Sequence, residues 1–189
     1  MRIVFALLIA LIGCRPGADQ AGAADNLQRH LDLLKNGTLC QKRAAVLALY
    51  EQGKKAIPAL VDRIEDSEIA HQSTNVLASP VISSAPPDSQ HDQFAGVLYA
   101  YVIELILARD NVSRDETGSC KFLLGLDDYV YGHGLILNGN ELIKANDLSR
   151  IKQIYLRWWT GNRGKNLTEI RQEWQRLHRP LAGTEYRWY

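Results

Sequence analysis

The sequence predicts a mainly α-helical, irregular multi-helix domain. Apolar residues recur at helical spacing in several segments, Gly, Pro and Asn separate these segments, and only one short stretch combines apolar runs with a hairpin turn. The chain has 189 residues, of which 46% are hydrophobic. This is enough for one domain with a core of its own, which we expect to span residues 25–189.

The first three predicted helices lie in the N-terminal third of this domain. Asp25 is a suitable N-cap for the first of them. Gly53 separates the second from the third, and Pro58 lies in the first turn of the third, where its missing N–H is tolerated. Residues 40–66, with Ile57-Pro58-x-Leu60 opening the last helix, resemble a single HEAT repeat. The resemblance implies an antiparallel helix pair, and no further copies follow that would predict a solenoid.

Three more helices are predicted further along the chain. Residues 94–108 are apolar on every side, which predicts a buried central helix. Asp147 is expected to cap the first of two C-terminal helices, and Gly161 to end it. Asn166 opens a capping box at the start of the second.

One β-hairpin is predicted near residues 129–143. Asn138-Gly139 lies between two short apolar runs, and Asn-Gly favours a two-residue hairpin turn. Such a hairpin must pack on helices to be stable.

The N-terminus has the pattern of an export signal. Arg2 precedes an unbroken apolar run, Ile3–Ile12, which is about half the length that a membrane-spanning helix needs. The run ends in Leu11-Ile12-Gly13-Cys14, which closely resembles the lipobox of bacterial lipoproteins. In that family the chain is cut before the Cys, which is then acylated. Residues 1–13 would therefore be a lipoprotein signal peptide, with Cys14 as the lipidation site.

This resemblance also implies a location and a partner. Acylated Cys14 would bind the lipid bilayer, and residues 14–24 would be a flexible tether. Arg15 stands where lipoproteins kept at the inner membrane carry Asp, so we expect the outer membrane, with the domain facing the periplasm. An alternative is plain secretion, with ordinary signal cleavage at Ala21-Gly22-Ala23.

The net charge restricts the partners. The formal charge is +1, and loss of residues 1–13, which contain one Arg and no acid, leaves zero. A neutral body argues against nucleic-acid binding and against electrostatic adhesion to acidic lipid.

The other two cysteines, Cys40 and Cys120, are a candidate disulfide. Thiols exported to an oxidising compartment are commonly bridged. Two unpaired core cysteines are the alternative. No zinc-binding spacing accompanies them, and we expect no metal and no cofactor.

Two groups of residues are candidates for catalysis. Glu104, in the apolar helix, would be a general acid or base if buried, and otherwise an acid at a helix edge that is solvated or paired with an arginine. Asp127, Asp128 and His133 could bind a metal or do acid–base work. Their spacing fits no metal-ligand motif, and Gly132 and Gly134 indicate a turn as the alternative. No known catalytic motif accompanies either group.

The C-terminal segment is rich in Trp, Tyr and Arg, the residue types that dominate binding hot spots. The candidate contact residues are Trp159, Arg163, Arg187, Trp188 and Tyr189. Alternatively, the C-terminal tail folds back and its aromatic rings seal the core.

Taken together, these patterns favour a membrane-anchored periplasmic lipoprotein that acts as a non-enzymatic binding or envelope-interaction module, with a protein partner that the sequence does not identify. One alternative is a periplasmic immunity protein against a secreted toxin. Another is an enzyme that uses Glu104 or the Asp127, Asp128 and His133 group.

Overall fold

A computed structural model describes residues 18–71, 92–108, 135–137 and 141–188. These residues contain six α-helices: α1 (Ala18–Asn36), α2 (Leu39–Gln52), α3 (Ile57–Arg63), α4 (Ala95–Ala108), α5 (Ala145–Asn162) and α6 (Leu167–Gln175). A 3₁₀ turn at Gly53–Lys55 and two short strands, β1 (Leu135–Leu137) and β2 (Tyr186–Trp188), are the other elements. The predicted mainly α-helical class is confirmed.

Helix α4 is the buried centre of the fold, as the apolar run predicted. Every residue from Ala95 to Leu107 is buried, and Ala108 is partly exposed. Helices α1, α2, α3 and α6 all pack against it. An all-apolar helix needs neighbours on every side, and these four supply them. None of the described helices combines the length and the apolar character needed to cross a bilayer.

The start of α4 lies unusually close to the chain that follows α3. The Gly96 N–H donates to the Asp66 carbonyl at 2.9 Å. The Ala95 N–H donates to the Glu68 carbonyl at 2.8 Å. A Cβ on Gly96 would lie 2.0 Å from the Ile64 carbonyl oxygen, so only glycine fits here. The first N–H groups of α4 are thus satisfied by backbone carbonyls rather than by a capping side chain.

Helices α1 and α2 are joined by a short, fully capped turn. The Thr38 hydroxyl and the Gln41 side chain form a capping box at the start of α2. The buried Lys42 ammonium donates to the Leu34 carbonyl at 2.8 Å and to the Lys35 carbonyl, both in the last turn of α1. A cation at a helix C-terminus satisfies orphan carbonyls and complements the helix dipole. Lys42 therefore stabilises the end of α1 from within α2.

Helix α1 starts earlier than expected. It begins at Ala18, so Asp25 lies inside the helix, and the prediction of an N-cap there is wrong. Residues 18–24, which the sequence placed in a tether, contain four alanines. Alanine has the highest helix propensity, which gives the physical reason for the extension.

The helices expected at 40–66 are both present as α2 and α3, with the break at Gly53. These two helices make their most extensive contacts outside the pair: α2 packs mainly on α1, and α3 packs mainly on α4. The HEAT-like resemblance itself stays a prediction.

The two C-terminal helices confirm one capping prediction and correct two others. Asn166 and Glu169 form the expected capping box of α6, with the Glu169 N–H donating to the Asn166 side chain at 2.9 Å. Asp147 is not the N-cap of α5 but its third residue, and it accepts a bond from the Lys144 N–H at 2.7 Å. Gly161 does not end α5, which continues to Asn162.

The strand expected near residues 129–143 is present, but its pairing was not predicted. Among the described residues, β1 pairs antiparallel with β2 at the C-terminal end of the chain, with Ile136 opposite Arg187. The Asn138-Gly139 turn lies outside the described residues. The described two-stranded sheet is therefore made by distant segments rather than by a local hairpin.

Candidate functional site around Glu104 and the aromatic C-terminus

The carboxyl group of Glu104 is enclosed at the middle of the domain. The residue is 2% exposed and points from α4 toward α5 and α6. The Tyr155 hydroxyl donates to Oε1 at 2.6 Å, and the Trp174 indole N–H donates to Oε2 at 2.7 Å. Each carboxylate oxygen therefore has a charge-assisted hydrogen bond from a buried aromatic side chain.

Burial controls the electrostatics of this site. Burial raises the pKa of Glu104 above its ordinary value, because a desolvated carboxylate disfavours its charged form. The bonds from Tyr155 and Trp174, and the positive charge of Arg179, lower the same pKa and oppose that effect. Burial and the adjacent carboxylate also raise the pKa of Tyr155 well above its ordinary value.

The C-terminal strand completes the enclosure. The indole N–H of Trp188 is buried and, as a donor directed toward Glu104 and Tyr155, lowers the pKa of both side chains. Its ring packs edge-to-face on Tyr101, with centroids 6.1 Å apart. We call Glu104, Tyr155, Trp174 and Trp188 the Glu104 cluster.

Two arginines of the C-terminal segment fix the surroundings of this cluster. The Arg179 guanidinium lies over the Trp174 ring, 4.3 Å from its centroid, which is a cation–π arrangement. Arg171 donates through Nε to the Ile106 carbonyl at 2.9 Å and lies over the Tyr50 ring. The Arg171 contacts connect the last turn of α4 to α6 and α2.

The arrangement favours a structural role for Glu104 over a catalytic one. A raised pKa suits a general acid, but both oxygens accept hydrogen bonds from protein donors and the residue is buried among the described residues. The expectation of a solvated acid at a helix edge is wrong, since Glu104 is buried, while the positive charge of Arg179 does act on its pKa. The carboxyl group instead ties α4 to α5 and α6.

The predicted interaction residues lie in different environments. Trp159 is half-buried, with the Lys54 ammonium 5.9 Å from its ring centroid. Arg163 and Arg187 are exposed, whereas Trp188 belongs to the Glu104 cluster. Tyr189 lies outside the described residues. The buried Tyr186 and the packing of Trp188 show that the tail folds back and seals the core.

Other predicted site residues fall outside the described ranges: Cys14, Cys120, Asp127, Asp128 and His133. Cys40 is exposed on α2, and its bond to Cys120 stays a prediction. Within the part of the chain that the structure describes, no group of three His, Cys, Asp or Glu residues could hold a metal ion.

The fold and the cluster define a mainly α-helical domain that is built around one apolar helix and closed by its own C-terminal strand. The chain belongs to the family described as a domain of unknown function (DUF4943), which matches residues 23–189. No curated protein and no solved structure matches the chain.

The sequence indicated Glu104 but not its partners. Tyr155 and Trp174 could be placed on inward helix faces, yet nothing local joined them to an acid in another helix. The chemistry of Glu104 itself indicated that partners must exist. A lone carboxyl group buried in an otherwise apolar helix requires hydrogen-bond donors from the elements that face it. Inward-facing Tyr and Trp are the residues that carry such donors on an apolar body.

Proposed function

We propose that this chain is a lipid-anchored module of the bacterial cell envelope, and that its DUF4943 domain binds another envelope component without catalysing a reaction. One observation carries the location: the apolar run Ile3–Ile12 ends directly in Gly13-Cys14. The family match begins at residue 23, so this stretch lies outside the matched domain. Acylated Cys14 would hold the domain at the outer membrane, facing the periplasm.

The binding role is supported by the burial and the hydrogen bonding of Glu104. Glu104 is engaged on both oxygens and enclosed by aromatic rings, which suits a domain whose polar interior stabilises its shape. An enzyme that uses Glu104 would first have to open the contacts of α4 with α5 and α6. A domain held in one shape by its core can instead present a fixed surface to a partner.

Replacement of Cys14 tests the anchor. We expect Cys14→Ser to abolish incorporation of labelled palmitate and to release the protein from the membrane fraction, because a hydroxyl does not accept the thioether-linked lipid. Cys40→Ser makes the same substitution at an exposed position of α2. It is the matched control and should leave labelling unchanged. Undiminished palmitate in the Cys14→Ser protein would refute the lipoprotein proposal.

A further inference from the structure

The overall charge of the chain conceals a strong asymmetry. Residues 141–188 contain ten Lys or Arg and five Asp or Glu, an excess of five positive charges, whereas the whole chain carries +1. The rest of the chain is therefore acidic. An excess of positive charge in this segment favours partners of negative charge, a property that the near-zero total does not reveal.

A groove lies within this positive part of the molecule. It has a volume of about 440 Å³ and runs between one face of α5 and the chain that leads into β2. Arg150, Gln153, Ile154 and Arg157 form the helical wall, at the spacing that places side chains on one helix face. Thr184–Tyr186 forms the opposite wall. We call this the α5 groove.

The donors in the α5 groove are open to solvent and available. Arg157 is exposed and makes no hydrogen bond or ion pair with any described residue, and the same is true of Gln153. Arg150 pairs with Glu185 at 2.8 Å, but both side chains are well exposed, so this ion pair is weak and exchangeable. A guanidinium without a partner presents a planar fork of donors that fits a carboxylate.

The groove also has an apolar component. Ile154 is half-buried on the helical wall, and the Tyr186 ring is buried at the other wall, with its hydroxyl donating to Asp147 at 3.3 Å. Arginine donors beside an aliphatic and an aromatic surface suit a ligand that alternates acidic and apolar side chains. An extended peptide presents this pattern.

We propose that the α5 groove binds an extended acidic peptide segment of a partner protein, with Arg157 as the principal carboxylate contact. This inference deepens the proposed function, because it assumes that the domain is a binding module. A planar anionic lipid surface fits less well, since the groove is concave. Lipid is therefore an outcome of the test that would refute the proposal.

The test uses the purified full chain and fluorescence anisotropy. The probe is a labelled peptide that alternates Glu and Leu, and the comparison peptide has Lys in place of Glu. We expect the Glu peptide to bind, the Lys peptide not to bind, and Arg157→Glu to weaken binding of the Glu peptide about tenfold or more, the effect of losing one charge-assisted contact. Arg157→Gln should weaken it less, because one donor group remains.

Arg176→Glu is the matched control. Arg176 is exposed at the C-cap of α6, in the same basic segment, and does not line the groove, so the same charge reversal should change affinity less than threefold. Equal losses in both variants would mean general electrostatic attraction and would overturn the proposal. Binding to phosphatidylglycerol vesicles but not to the Glu peptide would also overturn it. The Cys14→Ser labelling result is independent of all these outcomes, so failure of the groove leaves the anchor proposal standing.

Discussion

Three residues in this chain have a burial or a backbone conformation that is rare for their residue type. Glu104 carries a carboxyl group inside an apolar core, Lys42 carries a buried ammonium, and Leu177 has a left-handed backbone with φ of 70°. For the two charged residues, hydrogen bonds to neighbouring helices offset part of the free-energy cost of burial. For Leu177, the compensation lies in the backbone at the end of α6.

The pH dependence of stability should reveal the burial of Glu104. Its pKa is raised in the folded state above the ordinary value of 4.5. A raised pKa contributes stability that is fully present below the unfolded value and is lost as pH rises through the folded value. We therefore expect wild type to lose stability relative to Glu104→Gln as the pH increases from the ordinary carboxyl range toward neutrality, measured by urea unfolding at a series of pH values.

Glu65→Gln is the control, because the stability contribution of Glu65 should depend on pH in the opposite direction. Hydrogen bonds from Lys152 and Ser149 lower the pKa of Glu65, so its contribution is present above the unfolded value and is lost as the pH falls. Glu104→Leu should be destabilised by about 3 kcal/mol at the acidic end of this pH series, because the donors of Tyr155 and Trp174 lose their acceptor. The difference from wild type should shrink as the pH rises, because only wild type carries the Glu104 titration. Identical pH profiles for wild type and Glu104→Gln would contradict the raised pKa.

Leu177 gives a prediction of increased stability. It occupies the position after the C-cap of α6, where its N–H donates to the Trp174 carbonyl at 3.1 Å and the His178 N–H donates to the Glu173 carbonyl at 3.1 Å. This is a Schellman motif, in which glycine is preferred because a left-handed residue with a Cβ is strained. We expect Leu177→Gly to raise the free energy of unfolding by about 1 kcal/mol.

The same substitution elsewhere serves as the control for Leu177. Leu156 is also exposed, but it lies inside α5 with helical geometry. Leu156→Gly should lower the free energy of unfolding by about 1 kcal/mol, the helix-propensity cost of glycine. If both variants were destabilised equally, backbone strain at Leu177 would not contribute measurably to the free energy of unfolding.

At the level of elements, close backbone contact and the C-terminal strand determine how the helices are held together. The start of α4 lies against the chain after α3 with no space for a side chain on Gly96. The C-terminal strand β2 pairs with β1 and places Trp188 against Tyr101, near the middle of α4. Helix α4 is thus fixed by a backbone contact at its start and covered by an aromatic ring near its middle.

Two glycine-to-alanine variants test the close contact. Gly96→Ala should destabilise the protein by about 3 kcal/mol or more, because the new methyl group would meet backbone atoms of Ile64 that cannot move independently. Gly161→Ala meets no atom within 4 Å in helix α5. It should instead stabilise by about 0.5 kcal/mol through lower backbone entropy of the unfolded chain. Thermal or urea unfolding measures both, and a neutral Gly96→Ala would rule out the tight approach.

At the scale of the whole molecule, the sequence predicted what is encoded locally. The central helix followed from an apolar run without a polar face, and the start of α6 followed from the Asn166 capping box. The β1–β2 pairing was missed because its strands are about fifty residues apart, and no local pattern specifies such a partner. The Asn138-Gly139 signal favoured a neighbouring strand instead.

The candidate sites were predicted less well than the fold, for a related reason. Glu104 is unusual in its own helix, but its partners come from α5, α6 and β2, so the cluster exists only in the folded chain. The α5 groove is formed in the same way. Arg157 was unremarkable in the sequence, and its significance depends on the wall that Thr184–Tyr186 places opposite it.

The bond between Lys42 and the end of α1 has a mechanical consequence. If Cys14 is held in a membrane, any pull on the domain enters at the N-terminal end of α1. Tension applied there would unwind the first turns of the helix before it reached the last turn, where the buried ammonium of Lys42 holds the carbonyls of Leu34 and Lys35. The first turns of α1 would therefore yield under load while its last turn, α2 and the core keep their shape, and these first turns would form an extensible link between the anchor and the domain.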